Sequence, residues 1–440
     1  ADSIEYQYMV ERRRSLDGFV PQRTTRVRKP MSLPDPSAFT EMWSGSNGQA
    51  VSTTMGFTRL LRSLTRDDNV GERIVPIIPD EARTFGMDSL FREIGIYASQ
   101  GQLYEPVDHD LLLSYAESKS GQILEEGITE AGAMSSFIAA GTSYATRGVP
   151  MIPFYTFYSM FGFQRVGDLI WQAADMRARG FLMGATAGRT TLEGEGLQHQ
   201  DGHSLVLAST VPAVQAYDPS FAYEVGAIVD AGIKRMYGGG TPEETDVFYY
   251  ITLYNENYEM PAMPDTPGLA EAIVEGLYKW ADAPEGDALL PATILFSGSS
   301  QGAAREAVND LAEHYGVGAE LWSATSYKAL REEGLSAERH NRLHPSGERR
   351  VPRVAQILAD AQGPITAVSD FMAAVPEQVL RFLPGRTFIP LGTDGMGRSD
   401  TREALRRHFE IDTGHIVVAA LSGLLRDGAD TEAINKSGDT

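Results

Sequence analysis

The sequence predicts an α/β protein with two mostly parallel sheets, and three features of the chain support this fold class. Short, continuously apolar segments alternate with amphipathic ones along most of the chain. The apolar segments lack the polar alternation of a sheet with one wet face, so helices should cover both faces of each sheet. A stretch rich in Pro, Gly, Ala and acids at 256–290 separates two such series. We therefore predict domains at 56–270 and 271–440, with 1–55 as an extended linker arm.

The helices and strands of the first domain are predicted from the spacing of apolar residues and from the residues that typically begin and end helices. Helices are predicted at 53–66, about 127–145, 160–179 and up to about 237, the last one capped by Asp218, Pro219 and Ser220. Strands are predicted at 74–78, 122–124, 150–158, 181–187, 204–211 and 246–254.

The second domain repeats the alternation. Its helices are predicted at 301–315, 371–382 and 400–408, and its strands at 292–296, 319–323, 365–368 and 387–391. A short helix is predicted near 268–280, within the stretch that separates the two series.

Composition narrows the class of protein. The 440 residues carry a net charge of −21, which argues against nonspecific nucleic-acid binding. No cysteine is present, so disulfides, thiol nucleophiles and cysteine metal sites are excluded. No apolar run approaches the roughly 18 residues of a membrane span, and no signal peptide is evident, so we expect a cytoplasmic protein. Residues 1–30 carry seven basic against four acidic side chains, which indicates a solvated arm or one lying on an acidic surface.

The polar loop at 191–203 is the first candidate for function. It contains three acids, two histidines and three glycines between apolar flanks, and loops of this kind on a rigid scaffold often carry function. We expect His199 to donate a hydrogen bond to a substrate or to carry a proton. The alternative is a loop histidine whose ring is satisfied by the backbone. A metal site formed by His199, Asp201 and His203 is less favoured, because the glycines oppose a helix and no third ligand is obvious.

Three further groups could carry chemistry. Glu130 lies in the first turn of a predicted helix among apolar residues, where a carboxyl group can hold a proton; the alternative is a helix-start glutamate favoured by the dipole. Asp80 and Glu81 follow a strand, where sheets of this class meet ligands, or they form an exposed acidic turn. Aromatic residues cluster where a strand meets a helix, and they form either core or a surface for a flat ring: Tyr155, Phe157, Tyr158, Phe161 and Phe163.

Two motifs suggest other chemistry. Gly298-Ser-Ser300-Gln-Gly302 matches the Gly-x-Ser-x-Gly nucleophile elbow between a strand and a helix. Asp370 or Asp394, with His408 or His415, would complete a hydrolase triad; the alternative is a simple Gly/Ser turn. Residues 395–397, Gly-Met-Gly, match the glycine-rich motif of dinucleotide-binding proteins only weakly, because the third glycine of that motif is missing. We favour a role for this segment as a helix cap.

Five long segments together resemble one known family. They span residues 79–87, 121–130, 152–165, 188–203 and 392–400, the fourth reading Gly-Arg-Thr-Thr-Leu-Glu-Gly-Glu-Gly-Leu-Gln-His-Gln-Asp-Gly-His. They are similar, in order and over nearly the whole chain, to the homodimeric bacterial pyruvate dehydrogenase, the thiamin-diphosphate-dependent first component of the pyruvate dehydrogenase complex. The resemblance implies transketolase-like pyrimidine-binding and C-terminal domains.

The resemblance also implies that a third, pyrophosphate-binding domain is missing. Its Gly-Asp-Gly signature for Mg²⁺, followed by an asparagine, has no match here: Asp394-Gly395 follows Thr393, and the next asparagine is Asn435. We therefore expect no metal ligands in these residues. We expect residues 1–55 to lead from that domain, and the segment to be inactive alone.

Residue roles follow from matching positions. Glu130 resembles the carboxylate that hydrogen-bonds the aminopyrimidine ring nitrogen and promotes the imino tautomer. Tyr158, Phe161 and Ile128 resemble contacts around that ring. The histidine that contacts the pyruvate-derived adduct is matched by His199, with Glu195 close by.

Two further matches complete the comparison of positions. Asp80 and Glu81 resemble the acidic pair that faces the cofactor, and we count Glu81 among the catalytic residues. Gln200 departs from the family, in which a glutamate is expected.

The implied reaction is oxidative decarboxylation of pyruvate, with acetyl transfer to the lipoyl group of dihydrolipoyl acetyltransferase. The implied partners are a second copy of the subunit and the lipoyl domain of that acetyltransferase core. Two other hypotheses stay open: a serine hydrolase that uses Ser300, and a dimerisation module that has lost its chemistry.

Overall fold

Two main sheets form the framework of the computed structural model, which describes residues 2–15, 27–79, 82–105, 107, 115–286 and 289–430. The first sheet contains β1 Ile74–Ile78, β2 Leu124–Glu125, β3 Ile152–Tyr158, β4 Phe181–Ala185, β5 Val214–Tyr217 and β6 Phe248–Thr252. Its order is β2-β1-β3-β4-β6-β5, and every pairing is parallel. The second contains β7 Tyr278–Ala281, β8 Leu290–Phe296, β9 Val317–Ser323, β10 Ile365–Val368 and β11 Phe388–Leu391. Its order is β7-β9-β8-β10-β11, with only the edge strand β7 antiparallel. The predicted fold class is confirmed.

Helices connect and cover these strands. They are α1 Ile4–Ser15, α2 Thr40–Trp43, α3 Thr53–Thr65, α4 Phe91–Ile94, α5 Glu130–Gly141, α6 Ser143–Thr146, α7 Phe163–Asp175, α8 Ser204–Ala208, α9 Ala222–Tyr237, α10 Pro242–Thr245, α11 Leu269–Glu275, α12 Gln301–Tyr315, α13 Tyr327–Leu343, α14 Arg353–Ile357, α15 Arg402–His408 and α16 Thr413–Arg426. Within the described ranges, no helix combines the length and the apolar character needed to cross a bilayer.

The core lies on both faces of each sheet because successive side chains of a strand point to opposite sides. On β3, Phe154 faces α3 and α9, where its ring stacks on Phe181 at 4.7 Å. The next residue, Tyr155, joins the other face with α5 and α7. Each of the two apolar clusters continues from the first sheet into the second, so the two halves share their core.

The carboxyl ends of strands from both sheets meet at buried acids. Asp218, directly after β5, accepts hydrogen bonds from Thr252 Oγ1 at 2.6 Å, Tyr254 OH at 2.5 Å and Ser297 Oγ at 2.6 Å. Burial raises the pKa of this carboxyl group. Gly298 is required beside it, because its φ is +52° and a Cβ there would meet the Tyr254 hydroxyl at 2.2 Å.

The predicted strand at 204–211 is wrong. Residues Ser204–Ala208 form α8, and β5 begins only at Val214. The helix starts here because Asp201 Oδ1 accepts from the backbone N–H groups of His203 and Ser204. A short apolar run does not by itself distinguish a buried strand from a buried helix.

The predicted cap of α9 is also wrong. Asp218 bonds across the interface, and the Glu224 side chain accepts instead from the N–H groups of Ser220 and Phe221. Of the predicted helix 371–382, the described structure contains only a 3₁₀ helix at Pro376–Phe382, which begins at a proline. The elements that the sequence pattern did not predict include α13, α16 and the edge strand β7. Residues 1–55 are not only a connector, because they include α1 and α2.

Candidate functional site

A buried carboxylate begins the helix that packs behind the first sheet. Glu130 is the first residue of α5, whose preceding Thr129 accepts a hydrogen bond from the Gly132 N–H at 3.2 Å. The Glu130 side chain is only 9% exposed. The Arg165 guanidinium on α7 donates through Nη1 to Glu130 Oε1 at 2.9 Å. The acid is therefore oriented by a cation from the neighbouring helix.

Three rings lie beside this ion pair. Arg165 stands over the Phe161 ring, with its Cζ atom 4.0 Å from the ring centroid. Phe161 lies 6.0 Å from Tyr158 and 5.5 Å from His199, between ring centroids, and His199 lies 4.8 Å from Tyr158. The structure thus brings Glu130, Tyr158, Phe161 and His199 into one cluster, which we call the ring cluster together with Arg165.

His199 reaches the ring cluster from the end of a 3₁₀ turn at Leu197–His199. Its Nδ1 atom is 3.1 Å from Glu195 Oε2, an ion-pair distance without the alignment of a hydrogen bond. Among the described residues, Nδ1 has no hydrogen-bond partner. The Glu195 side chain is half exposed at 50%. Contact with two aromatic rings and one carboxylate holds the imidazole while leaving it free to bond elsewhere.

The remaining predicted site residues lie at the margin or outside the described structure. Ile128 is 75% exposed, two residues before Glu130. Asp80 and Glu81 lie outside the described residues, so their predicted place opposite the cofactor stays a prediction. The chain reaches their position directly from the carboxyl end of β1, which is buried throughout.

The predicted aromatic cluster divides into two parts. Tyr155, Phe157 and Phe163 are buried core, while Tyr158 and Phe161 are partly exposed toward His199. The Tyr155 hydroxyl lies 3.4 Å from the Glu130 carbonyl oxygen, and burial raises the pKa of Tyr155. The core interpretation is therefore confirmed for Tyr155, Phe157 and Phe163, while a ring-binding surface at Tyr158 and Phe161 stays a prediction.

The three side chains of the metal hypothesis have separate contacts. His199 packs against the Tyr158 ring, and Asp201 accepts a hydrogen bond from the first N–H group of α8. His203 Nε2 contacts Gln164 Oε1 at 2.5 Å. In the described parts of the chain, no three His, Asp or Glu side chains are grouped so as to hold a metal ion.

The nucleophile-elbow motif lies in the interface between the sheets. Ser300 is 3% exposed, and its hydroxyl has no hydrogen-bond partner in the part of the chain that the structure describes. Asp370 accepts from the neighbouring Ser299 at 2.8 Å, while His415 lies 2.6 Å from Asp412. No triad is assembled at Ser300 by the described residues, which removes the support for a serine hydrolase.

Sequence reasoning missed Arg165. A signal was present, because arginine follows Phe161 by four positions, about one helical turn. That spacing places a cation near the ring but does not reveal its partner Glu130, which lies 35 residues earlier.

Two family models match this chain. Residues 31–261 match the pyruvate dehydrogenase E1 component middle domain. Residues 276–412 match the transketolase-like C-terminal domain.

Curated relatives cover nearly all of the chain. A protein named pyruvate dehydrogenase E1 component from Mycolicibacterium smegmatis is 54% identical over 97% of this chain and 45% of its own length. Proteins of the same name from Pseudomonas aeruginosa and Escherichia coli are 50% and 48% identical, each over 97% of this chain and 47% of their length. The chain spans about half the length of the curated relatives it matches.

Solved structures of lower identity share the fold. Transketolase from Leishmania mexicana superposes with a TM-score of 0.64 at 17% identity, over 90% of this chain and 48% of that one. A split-gene transketolase, described as an inactive tetramer, gives 0.55 at 18% identity, over 85% of this chain and 98% of that one.

Proposed function

The chain belongs to the pyruvate dehydrogenase E1 component family, and from that premise we propose that it forms part of a thiamin-diphosphate-dependent pyruvate dehydrogenase. The proposed reaction is the oxidative decarboxylation of pyruvate with acetyl transfer to a lipoyl group. The observation that carries the proposal is the ring cluster, in which a buried Glu130 and His199 flank two aromatic rings.

The ring cluster fits the cofactor's aminopyrimidine ring. A flat heteroaromatic ring with a nitrogen at its edge needs an apolar or aromatic face and one proton-sharing group in the ring plane. Tyr158, Phe161 and Ile128 offer the first, and Glu130 offers the second. When bound, thiamin diphosphate supplies the electron sink that makes loss of carbon dioxide from a 2-oxo acid possible.

Glu130 binds and orients that ring. Arg165 holds Oε1, and Oε2 receives no hydrogen bond from the part of the chain that the structure describes. We propose that Oε2 shares a proton with the ring nitrogen, while the ion pair keeps the carboxylate in the required orientation.

His199 is proposed to hold or move a proton at its ring nitrogens on the substrate side. Glu195 Oε2 lies 3.1 Å from its Nδ1 atom and faces the same ring nitrogen. The half-exposed position of Glu195 lets this proton exchange with solvent. Glu81 and Asp80 are proposed to face the same ligand from the end of β1.

The remaining assignments are proposals of the same kind. We propose pyrimidine-binding and C-terminal domains at 56–270 and 271–440; α11 lies at their boundary, and the two family matches fall on either side of it. Mg²⁺ is proposed to be held by residues outside this chain. We also propose a homodimer, a dihydrolipoyl acetyltransferase core as partner, and a cytoplasmic location.

The test is a titration of the complete enzyme with thiamin diphosphate, followed by a pyruvate assay. Glu130→Gln keeps the side-chain shape but removes the shared proton, so we expect turnover to fall about 100-fold or more. Glu271→Gln is the matched control, because Glu271 also lies in the first turn of a helix, α11. If both variants lose activity equally, Glu130 acts only through the helix dipole and the proposal fails.

The same titration separates the enzyme from a non-catalytic dimerisation module. An enzyme binds thiamin diphosphate saturably and turns over pyruvate. A module with an intact fold does neither.

A further inference from the structure

The loop that carries His199 is bonded on one side by residues of the second half of the chain. We define the His199 loop as residues 186–203. Its Arg189 and Thr190 N–H groups donate to Asp370 Oδ1 at 3.0 and 3.1 Å, and Thr190 Oγ1 donates to Asp370 Oδ2 at 2.9 Å. Asp370 directly follows Ser369 at the carboxyl end of β10 and is fully buried.

Close packing makes this attachment specific. Gly188 has φ +83°, and a Cβ there would meet Asp370 Oδ2 at 2.4 Å. Only glycine allows the backbone to approach the carboxylate so closely in this conformation. Ser299 lies in the turn that leads into α12 in the second half of the chain. Its Oγ atom donates to the same Asp370 Oδ2 atom, at a distance of 2.8 Å. Asp370 therefore joins the His199 loop to the end of β10 and to the turn that follows β8.

A second set of bonds holds the rest of the loop. Arg402 Nε donates to the Thr191 carbonyl at 2.9 Å, and the Arg398 N–H donates to Gln200 Oε1 at 2.7 Å. The Met372 N–H donates to the Gly202 carbonyl at 2.8 Å. These contacts lie on both sides of His199 along the chain.

His199 itself depends on this support. Its loop is rich in glycine, so its free backbone has a large conformational entropy to lose. The imidazole contacts Tyr158 and Phe161 but has no aligned hydrogen bond at Nδ1. Glu195, whose Oε2 lies 3.1 Å from Nδ1, belongs to the same loop, so the position of the loop backbone sets the direction of the ring nitrogens.

We infer that Asp370 is a positioning residue for His199, and that the second half of the chain holds the His199 loop against the ring cluster. The catalytic consequence rests on the proposed function. The structural part, attachment of the loop, does not.

The first experiment measures amide hydrogen exchange of the chain without cofactor. Asp370→Ala removes the acceptor of Arg189 and Thr190, and we expect amides of 188–203 to exchange about tenfold faster or more, with β3 and β4 unchanged. Asp370→Asn keeps one carbonyl oxygen for both N–H groups, so we expect most of the protection to return. Asp218→Asn is the matched control: it alters an equally buried acid of the same interface that has no bond to the loop.

A second variant covers the case in which Asp370→Ala does not fold. Thr190→Val removes only the hydroxyl bond to Oδ2, and we expect faster exchange confined to the loop. Equal exchange in Thr190→Val and wild type, or a loss of protection in Asp218→Asn equal to that in Asp370→Ala, would overturn the inference.

The second experiment uses the cofactor-loaded complete enzyme. Because Asp370 contacts the loop rather than Glu130, we expect Asp370→Ala to lower kcat about tenfold or more while the Kd of thiamin diphosphate changes less than about twofold. A fall in cofactor affinity equal to the fall in kcat would show general damage. Loop attachment without any pyruvate activity in the wild type would sustain the positioning inference and reject the proposed function.

Discussion

At the scale of single residues, Arg165 decides how Glu130 is presented. A carboxylate at a helix start is common and is favoured by the dipole, so its position alone assigns no role. The Arg165 guanidinium donates a hydrogen bond to one carboxylate oxygen of Glu130 and also lies over the Phe161 ring. One arginine thus connects the acid to the aromatic surface.

We predict that Arg165→Ala weakens thiamin diphosphate binding by the complete enzyme about tenfold, with less than about 1 kcal/mol lost from the free energy of unfolding. The affinity falls because Glu130 loses its orientation, while the half-exposed side of Arg165 lets water replace the guanidinium, so little stability is lost. Titration by fluorescence and urea unfolding measure the two quantities. Arg59→Ala is the control, since it removes an arginine that is similarly exposed and is paired with Glu41; weaker binding in that variant too would contradict the prediction.

Asp370 predicts a pH dependence of stability. Burial is the main cause that raises the pKa of this carboxyl from 3.8 to about 6, while Arg406 and the hydrogen bond from Ser299 act to lower it. The folded state therefore binds more protons than the unfolded state between pH 3.8 and about 6. Its contribution to stability is fully present below 3.8 and is lost as the pH rises through about 6.

We predict that Asp370→Asn removes this dependence. The unfolding free energy of the variant minus that of the wild type should rise by an amount on the order of 3 kcal/mol as the pH increases across that window. Urea unfolding at several pH values measures it. A difference that is flat, or that falls with rising pH, would show that the buried carboxyl does not titrate in this way.

At the scale of elements, the turn from the His199 loop into α8 depends on Asp201. Its Oδ1 accepts from the N–H groups of His203 and Ser204, and the side chain is fully buried. Free N–H groups at a helix start require such an acceptor. The helix start is therefore part of the structure that supports the loop.

We predict that Asp201→Ala lowers the free energy of unfolding by about 2 kcal/mol and lowers pyruvate turnover. Asp412→Ala is the control, because Asp412 accepts from the His415 N–H at the start of α16, away from the ring cluster. That variant should lose about 1 kcal/mol and keep its turnover. Unfolding curves and steady-state assays of both variants provide the comparison, and equal effects on turnover would refute it.

At the scale of the whole molecule, buried acids join the two sheets. Glu224 on α9 accepts from Tyr278 OH on β7 and from Ser323 Oγ on β9, each at 2.6 Å. Both apolar clusters also run through both halves. The halves therefore share stabilising contacts and should unfold together.

We predict a single unfolding transition that is shifted as a whole by Glu224→Ala, with about 4 kcal/mol lost, since several buried donors lose their acceptor. Tryptophan variants that keep only Trp171, in the first half, or only Trp322, in the second, report on each half separately. Their midpoints should coincide before and after the substitution. Two separate midpoints in the wild type would show that the halves are independent.

The local sequence pattern was sufficient to predict most of the strands and several residues of the candidate site. Continuous apolar runs identified most strands of both sheets, with β5 and β7 as exceptions, and the 301–315 helix matches α12 residue for residue. Glu130, Tyr158, Phe161 and His199 were identified from motifs, and the structure brings them together. Such features are readable because the hydrophobic effect and helix capping act on neighbours in sequence.

Only the tertiary structure decided the partners of the buried acids and the conformation after His203. Asp370 meets Thr190 from 180 residues away, and Asp218 meets Ser297 from 79 residues away. No local pattern encodes these pairs, because they exist only once two sheets have brought their strand ends together. The five-residue helix α8 reads as a strand in isolation, and a carboxylate buried by the fold determines that it is a helix.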